Sequence, residues 1–334
     1  MFFSLILASG FSVMAATDAD TVWKTILSQD GGPEGKPRSA EAAKQGALSH
    51  LTLQRATLEN FVREHATDPR STEAYIRLAK TLAAEGAIRS DSRLISKAVE
   101  ILQRLQTSKN TSAKLRAEAA FTEAWITMQS AQNNGKFDPK AVLAAAEKFA
   151  NTYKSDPRGA HMLTEAAGVC DSNPALKRKI LARASATTSD PLLKRRIADD
   201  TRRLDLLGTK ISFTMPALKG HVMPATGKPT LLVFWSPSSP QSLVWLRDLC
   251  AAWDSLPRKQ YNVVTVAVAK NRSEVVVRSR EFPVGWTVLF DGKEWASPAV
   301  RDLGINALPT VWYLDDAGVL KSINAKSDWK TLLR

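Results

Sequence analysis

Thiols and imidazoles are scarce in this 334-residue chain, which has two cysteines and four histidines. Cys170 and Cys250 lie 80 residues apart. That spacing suits neither a cysteine-based zinc finger nor a CxxC redox pair, and two thiols are too few for a disulfide-dense scaffold. His50, His65 and His161 are scattered and read as surface or capping residues rather than ligands. There is no HExxH segment and no Gly-rich phosphate loop, so no metal and no cofactor is predicted.

Charge is missing from residues 1–16 (MFFSLILASGFSVMAA), an apolar run that ends in small residues. Val13-Met14-Ala15 or Met14-Ala15-Ala16 suits cleavage before Thr17 or nearby, which reads as a secretory signal despite the lack of Lys or Arg at its start. The run is short against about 30 Å of hydrocarbon, so a membrane anchor is the weaker reading. An exported chain is expected in the periplasm or secreted.

What is abundant is basic charge: 46 Lys+Arg against 33 Asp+Glu, a net +13. Its distribution argues against nucleic acid. Residues 17–173 carry a net +2, residues 174–207 a net +5 and residues 208–334 a net +6. Only Lys177, Arg178, Lys179, Lys194, Arg195 and Arg196 form dense clusters, both on amphipathic helical segments. Two readings stand: a solvated helix face, or peripheral contact of the 177–196 helices with anionic lipid or an acidic partner.

At about 100–200 residues per domain the length suits two domains. Residues 17–38 read as a leader and linker. Residues 39–207 read as paired helices, because Asp68-Pro69, Asp138-Pro139, Asp156-Pro157, Asn173-Pro174 and Asp190-Pro191 each have the form of a helix start. The Asx side chain caps free backbone N–H groups, and proline tolerates the first helical turn. The last four starts are 18, 17 and 17 residues apart, so two steps approximate a 34-residue helix-turn-helix unit. Phe61–Arg70 (FVREHATDPR) and Phe149–Arg158 (FANTYKSDPR) share Phe-x6-Asp-Pro-Arg. The region resembles tetratricopeptide-like solenoids, with a plain helical bundle as the alternative. Either supplies surface rather than chemistry.

From residue 208 the pattern becomes α/β. Leu231–Trp235, Asn262–Ala269 and Thr310–Leu314 read as strands, with helices near 240–256, 272–280 and 296–304 between them. A hairpin over 319–324 and a final helix over 327–333 close the chain.

Gly227-Lys-Pro-Thr-Leu-Leu-Val-Phe-Trp235 and Gly304-Ile-Asn-Ala-Leu-Pro-Thr310, followed by Val-Trp-Tyr-Leu-Asp315 and Gly318, resemble the two signature segments of the thioredoxin-like superfamily. The likeness is to TlpA-type thiol-disulfide oxidoreductases and redoxins, and it covers about 125 residues. It implies a C-terminal thioredoxin fold over 208–334, hence an α plus α/β chain. Where that family carries W-C-x-x-C, this sequence reads Ser238-Ser239-Pro240-Gln241-Ser242. The nucleophilic thiol maps to Ser239 and the resolving thiol to Ser242.

A serine hydroxyl cannot form a disulfide, so catalysis by the family mechanism is predicted absent. Cys250 lies about 12 Å farther along the helix than Ser242, on an apolar stripe with Leu246, Leu249 and Trp253, and reads as a buried inert thiol. An oxidising compartment would permit a Cys170–Cys250 disulfide. The resemblance implies a cis Pro309, beside which an extended peptide pairs in the family; alternatively Pro309 only shapes the start of its strand. The candidate groove is Trp235, Ser238, Ser239, Pro240, Ser242, Leu308, Pro309 and Thr310. The expected function is a redox-inactive scaffold that binds protein or extended peptide in the cell envelope. The alternative is an oxidoreductase or redoxin-type antioxidant enzyme, including a form in which Ser239 stabilises a substrate thiolate.

Overall fold

The computed structural model describes residues 18–35, 37–133, 138–220, 227–253, 260–326 and 328–333. The expected signal segment, residues 1–16, lies outside them. Two compact units divide the chain at residues 153 and 154. Among the described residues no helix is long and apolar enough to cross a membrane.

The first unit is helical. It comprises α1 (Ala19–Ser28), α2 (Ala40–Glu64), α3 (Ser71–Arg89), α4 (Ser92–Thr107), α5 (Ala113–Asn133) and α6 (Pro139–Thr152). Leu58, Phe61, Ala74, Ala79, Leu82, Ala98, Leu102 and Ala119 are sealed in one core, the alanines allowing close helix approach. The leader expected over 17–38 contains α1, which buries Val22, Trp23 and Ile26. Trp23 packs against Phe61 with ring centroids 5.2 Å apart, and the Arg70 and Arg77 guanidinium groups each lie 5.5 Å from its ring. Arg70 also pairs with Asp20 at 2.7 Å, so cation–π and ionic contacts hold α1 against the start of α3.

The helix starts form as their chemistry requires, in two ways. Asp138, Asn173 and Asp190 are N-caps whose side chains accept backbone N–H groups, with proline in the first turn. After Asp68 and Asp156 the helix begins later, at Ser71 and Arg158. In those two the carboxylate accepts the backbone N–H two residues on, at 2.8 and 3.0 Å, and grips the same arginine's side chain. The shared Phe-x6-Asp-Pro-Arg therefore encodes one local structure used twice. Phe61 and Phe149 end their helices alike, accepting the N–H of His65 and Tyr153 at 2.9 Å.

The second unit comprises α7 (Arg158–Ala167), α8 (Pro174–Thr187) and α9 (Pro191–Leu206), followed by a six-stranded sheet and its helices. The strands are β1 (Ala217–Lys219), β2 (Thr230–Trp235), β3 (Asn262–Ala267), β4 (Thr287–Leu289), β5 (Thr310–Leu314) and β6 (Leu320–Ser322). Their order is β1-β4-β3-β2-β5-β6. β3 pairs in parallel with β2 and β4, while β5 runs antiparallel to β2 and β6 antiparallel to β5. The helices are α10 (Pro240–Trp253), α11 (Arg272–Ser279), α12 (Pro298–Asp302) and α13 (Trp329–Leu332).

Every residue of β2 is buried, which is why its sequence is a continuous apolar run rather than an alternating one. Leu231, Val233 and Trp235 share a core with Leu246, Leu249 and Trp253 of α10, Val275 of α11 and Trp329 of α13. On the opposite face Phe234 meets Trp312 edge-on, with centroids 5.6 Å apart. The α plus α/β organisation matches the expectation. β1 and β4 are additional strands of three residues each. The expected end of the 240–256 helix lies outside the described residues.

Candidate functional site

The site is built where β2 ends and α10 begins. Ser236 follows the strand, its hydroxyl 2.9 Å from that of Ser238. Ser239 N–H donates to Ser236 O at 3.1 Å, closing a turn that aims the chain into α10. Ser239 then caps the helix: its hydroxyl accepts the Ser242 N–H at 3.2 Å and its carbonyl accepts the Leu243 N–H at 3.1 Å. This satisfies donors that the first helical turn would leave bare. Ser242 is fully buried, its hydroxyl facing the Ser236 N–H at 3.5 Å.

The second wall comes from the loop before β5. The Leu308–Pro309 peptide bond is cis, as the resemblance implies. β2 and β5 pair with Phe234 opposite Thr310. Thr310 is the residue just after Pro309 and Phe234 lies two residues before Ser236, so the proline loop enters the sheet at the end where β2 leaves it. The serine turn and the proline loop are thus neighbours at one end of the sheet.

The structure divides the eight groove candidates by depth. Ser238 and Pro240 are exposed, and Ser239, Leu308 and Thr310 are half-buried. Trp235, Ser242 and Pro309 are buried beneath them. Trp235 belongs to an aromatic stack, 5.2 Å from Phe282, which is itself 5.5 Å from Trp286. The accessible face therefore carries hydroxyls, a half-buried leucine and backbone.

Neither cysteine stands at the position of Ser239 or Ser242. Cys170 is buried and its Sγ donates to Ala166 O at 3.5 Å. Cys250 is half-buried on α10, and no disulfide joins it to Cys170. Burial, helped by the nearby Glu281 charge, pushes the Cys250 thiol up to about 11, so it is protonated near neutral pH and a poor nucleophile. Among the described residues no group of three His, Cys, Asp or Glu side chains could hold a metal ion.

The basic segment 177–196 is partly neutralised by carboxylates that flank it in sequence. Lys177 is buried and paired with Asp171, Arg178 is paired with Asp205, and Arg196 with Glu165. Lys179, Lys194 and Arg195 are exposed.

One association escaped the sequence. α9 docks on the chain leading into the proline loop. Arg203 bonds to Gly304 O and donates to Asn306 Oδ1 at 2.8 Å, while Asn306 Nδ2 donates to Asp200 at 3.0 Å. Arg203 is also paired with Asp200. Gly304 has φ +67, and a Cβ there would lie 2.6 Å from Asp199 O, so the helix needs a glycine at this point. The Gly304-Ile-Asn-Ala segment was legible as part of a motif, but its grip on α9 spans about a hundred residues and left no local signal.

No family model matches the chain. No curated protein matches it either. Among solved structures it is similar to a protein described as the thiol:disulfide interchange protein DsbE of Chlorobium tepidum, at 24% identity and a TM-score of 0.30, over 38% of this chain and 92% of that one. It is also similar to StoA of Bacillus subtilis, at 21% identity and a TM-score of 0.29, over 34% and 87% of the two chains. A thiol-disulfide oxidoreductase of Bacteroides fragilis is similar at 19% identity and a TM-score of 0.30, over 36% and 96%. Its sheet order, the capped turn at the head of α10 and the cis proline at the same end of the sheet give the C-terminal part of the chain a thioredoxin-like fold.

Proposed function

We propose that this chain is a redox-silent thioredoxin-like protein, exported to the cell envelope, that holds a protein or extended peptide at the groove between the serine turn and Pro309. The observation that carries the reading is the state of Ser239 and Ser242. One hydroxyl caps α10 and the other is sealed beneath it, and a serine hydroxyl neither accepts electrons nor forms a disulfide. A Cys250 thiol held near 11 supplies no substitute nucleophile. The exposed Ser238, the half-buried Leu308 and the adjacent sheet end offer hydrogen-bonding and apolar surface suited to an extended strand. Export rests on the uncharged apolar segment at residues 1–16.

The test is turnover of a disulfide substrate or a peroxide by the purified protein, alongside Cys170→Ala and Cys250→Ala variants. Background rates are expected from all three. Turnover that either cysteine substitution abolishes overturns the reading in favour of an oxidoreductase.

A further inference from the structure

Beside the proline loop, α9 and the crossover between β4 and β5 enclose a cleft of about 480 Å³. From α9 it is lined by Arg195, Asp199 and Arg202, which at spacings of four and three residues share one helix face. From the crossover come Trp295, Arg301, Asp302 and Asn306. Three guanidinium groups face two carboxylates, leaving a single net positive charge.

The walls are tied together. Arg202 donates to the Arg301 carbonyl at 3.1 Å, and Asn306 is held by Arg203 and Asp200. The other arginines of α9 are committed, Arg196 to Glu165 and Arg203 to Asp200. Among the described residues no ion pair engages Arg195 or Arg301, and both are exposed. Trp295, 44% exposed, adds an aromatic face.

We propose that this cleft recognises a carboxylate, taking one Asp or Glu side chain of an extended peptide whose backbone runs along Leu308–Thr310. The inference rests on the peptide-holding reading of the groove and adds the chemistry of what is held. Asn306 lines the cleft and lies two residues before Leu308, so the two are separated by at most about 7 Å of chain. That is a step of about two residues along a bound strand. The guanidinium fork matches a carboxylate with two parallel N–H donors, whereas an apolar or cationic side chain has no partner among these arginines. Asp199 and Asp302 limit the excess charge, which suits one acidic side chain rather than a run of them. The net +13 of the chain favours encounter with acidic segments.

The experiment screens the full chain against an array of randomised decapeptides, then measures affinity in solution for a bound peptide and its Asp→Asn or Glu→Gln counterpart. The Arg195→Gln/Arg301→Gln double variant, its fold checked by circular dichroism melting, is measured in parallel. Bound peptides are expected to be enriched in a single acidic residue. Removing that charge should weaken binding to the native chain roughly tenfold and leave the double variant's affinity unchanged. Peptides bound without acidic preference, or an equal loss in the double variant, overturn the carboxylate cleft while the groove reading stands. An array with no bound peptide overturns both.

Discussion

The Ser239 hydroxyl accepts the Ser242 backbone N–H at 3.2 Å, which makes the residue in the nucleophile's place a helix cap. Ser239→Ala leaves that N–H without its acceptor and should destabilise the domain by about 1 kcal/mol, with Ser239→Asp retaining most of the stability. Urea unfolding at neutral pH checks this; equal midpoints for Ser239→Ala and the native chain would show that the cap contributes nothing.

The same geometry predicts what restoring the thiols would do. In a Ser239→Cys/Ser242→Cys variant, the first sulfur sits at the N-terminus of α10, where unpaired N–H groups and the helix dipole favour a thiolate. After mild oxidation, thiol counting in denaturant should find the two native thiols and not four. Four reactive thiols would show that the turn no longer brings the two side chains together.

Cys250 gives a pH signature of its own. Its folded-state value of about 11 lies above the usual 9.0, because burial disfavours the thiolate and Glu281 adds like charge. The unfolded chain therefore releases this proton first. The stability linked to it is fully present below pH 9 and is lost as pH rises towards 11. The native chain should lose more stability across that interval than Cys250→Ala, and alkylation of Cys250 should accelerate only above pH 10. Rapid alkylation near pH 8 would contradict the raised thiol value.

Legibility in the sequence followed the range of the interactions. Leu231–Trp235 stood out because a strand covered on both faces needs apolar side chains throughout. Asp138, Asn173 and Asp190 stood out because a cap and a proline act within one turn. Thr287–Leu289 and Ala217–Lys219 did not, since three residues are too few to show a period, and they pair with distant segments, the first with β3 and the second with β4. The composition shift at residue 208 suggested that the helices end one domain and the sheet begins another. The structure groups residues 154–334 as one unit, bound by contacts such as Arg203 to Asn306 that no local pattern announces. The serine turn was readable from its motif; Arg301, Trp295 and Asn306 join Arg195 only in three dimensions.

Asp68 makes a comparable prediction at acid pH. Its hydrogen bonds to the Arg70 side chain and then to the Arg70 backbone hold the carboxyl at about 2, below the usual 3.8. Stability from this group is present above pH 3.8 and is lost as pH falls towards 2. Asp68→Asn should therefore lower stability at pH 7 but converge with the native chain near pH 2, as read by urea midpoints at pH 7, 4 and 2. A constant difference at all three would mean that the effect is packing rather than charge.

Gly304 tests the docking of α9. A left-handed backbone costs a non-glycine residue about 1–2 kcal/mol, and here a Cβ would also meet Asp199 O at 2.6 Å, which forces the helix away from the proline loop. Gly208 provides the control: its φ is +80, yet nothing lies within 4 Å of the added carbon. Gly304→Ala should therefore lower the melting temperature clearly more than Gly208→Ala, the excess measuring the contact with α9. It should also weaken the Arg203–Asn306 tie and so increase hydrogen exchange at residues 304–308, which Gly208→Ala should leave unchanged. Equal losses of stability with unaltered exchange would show that α9 merely lies beside the loop and does not hold it.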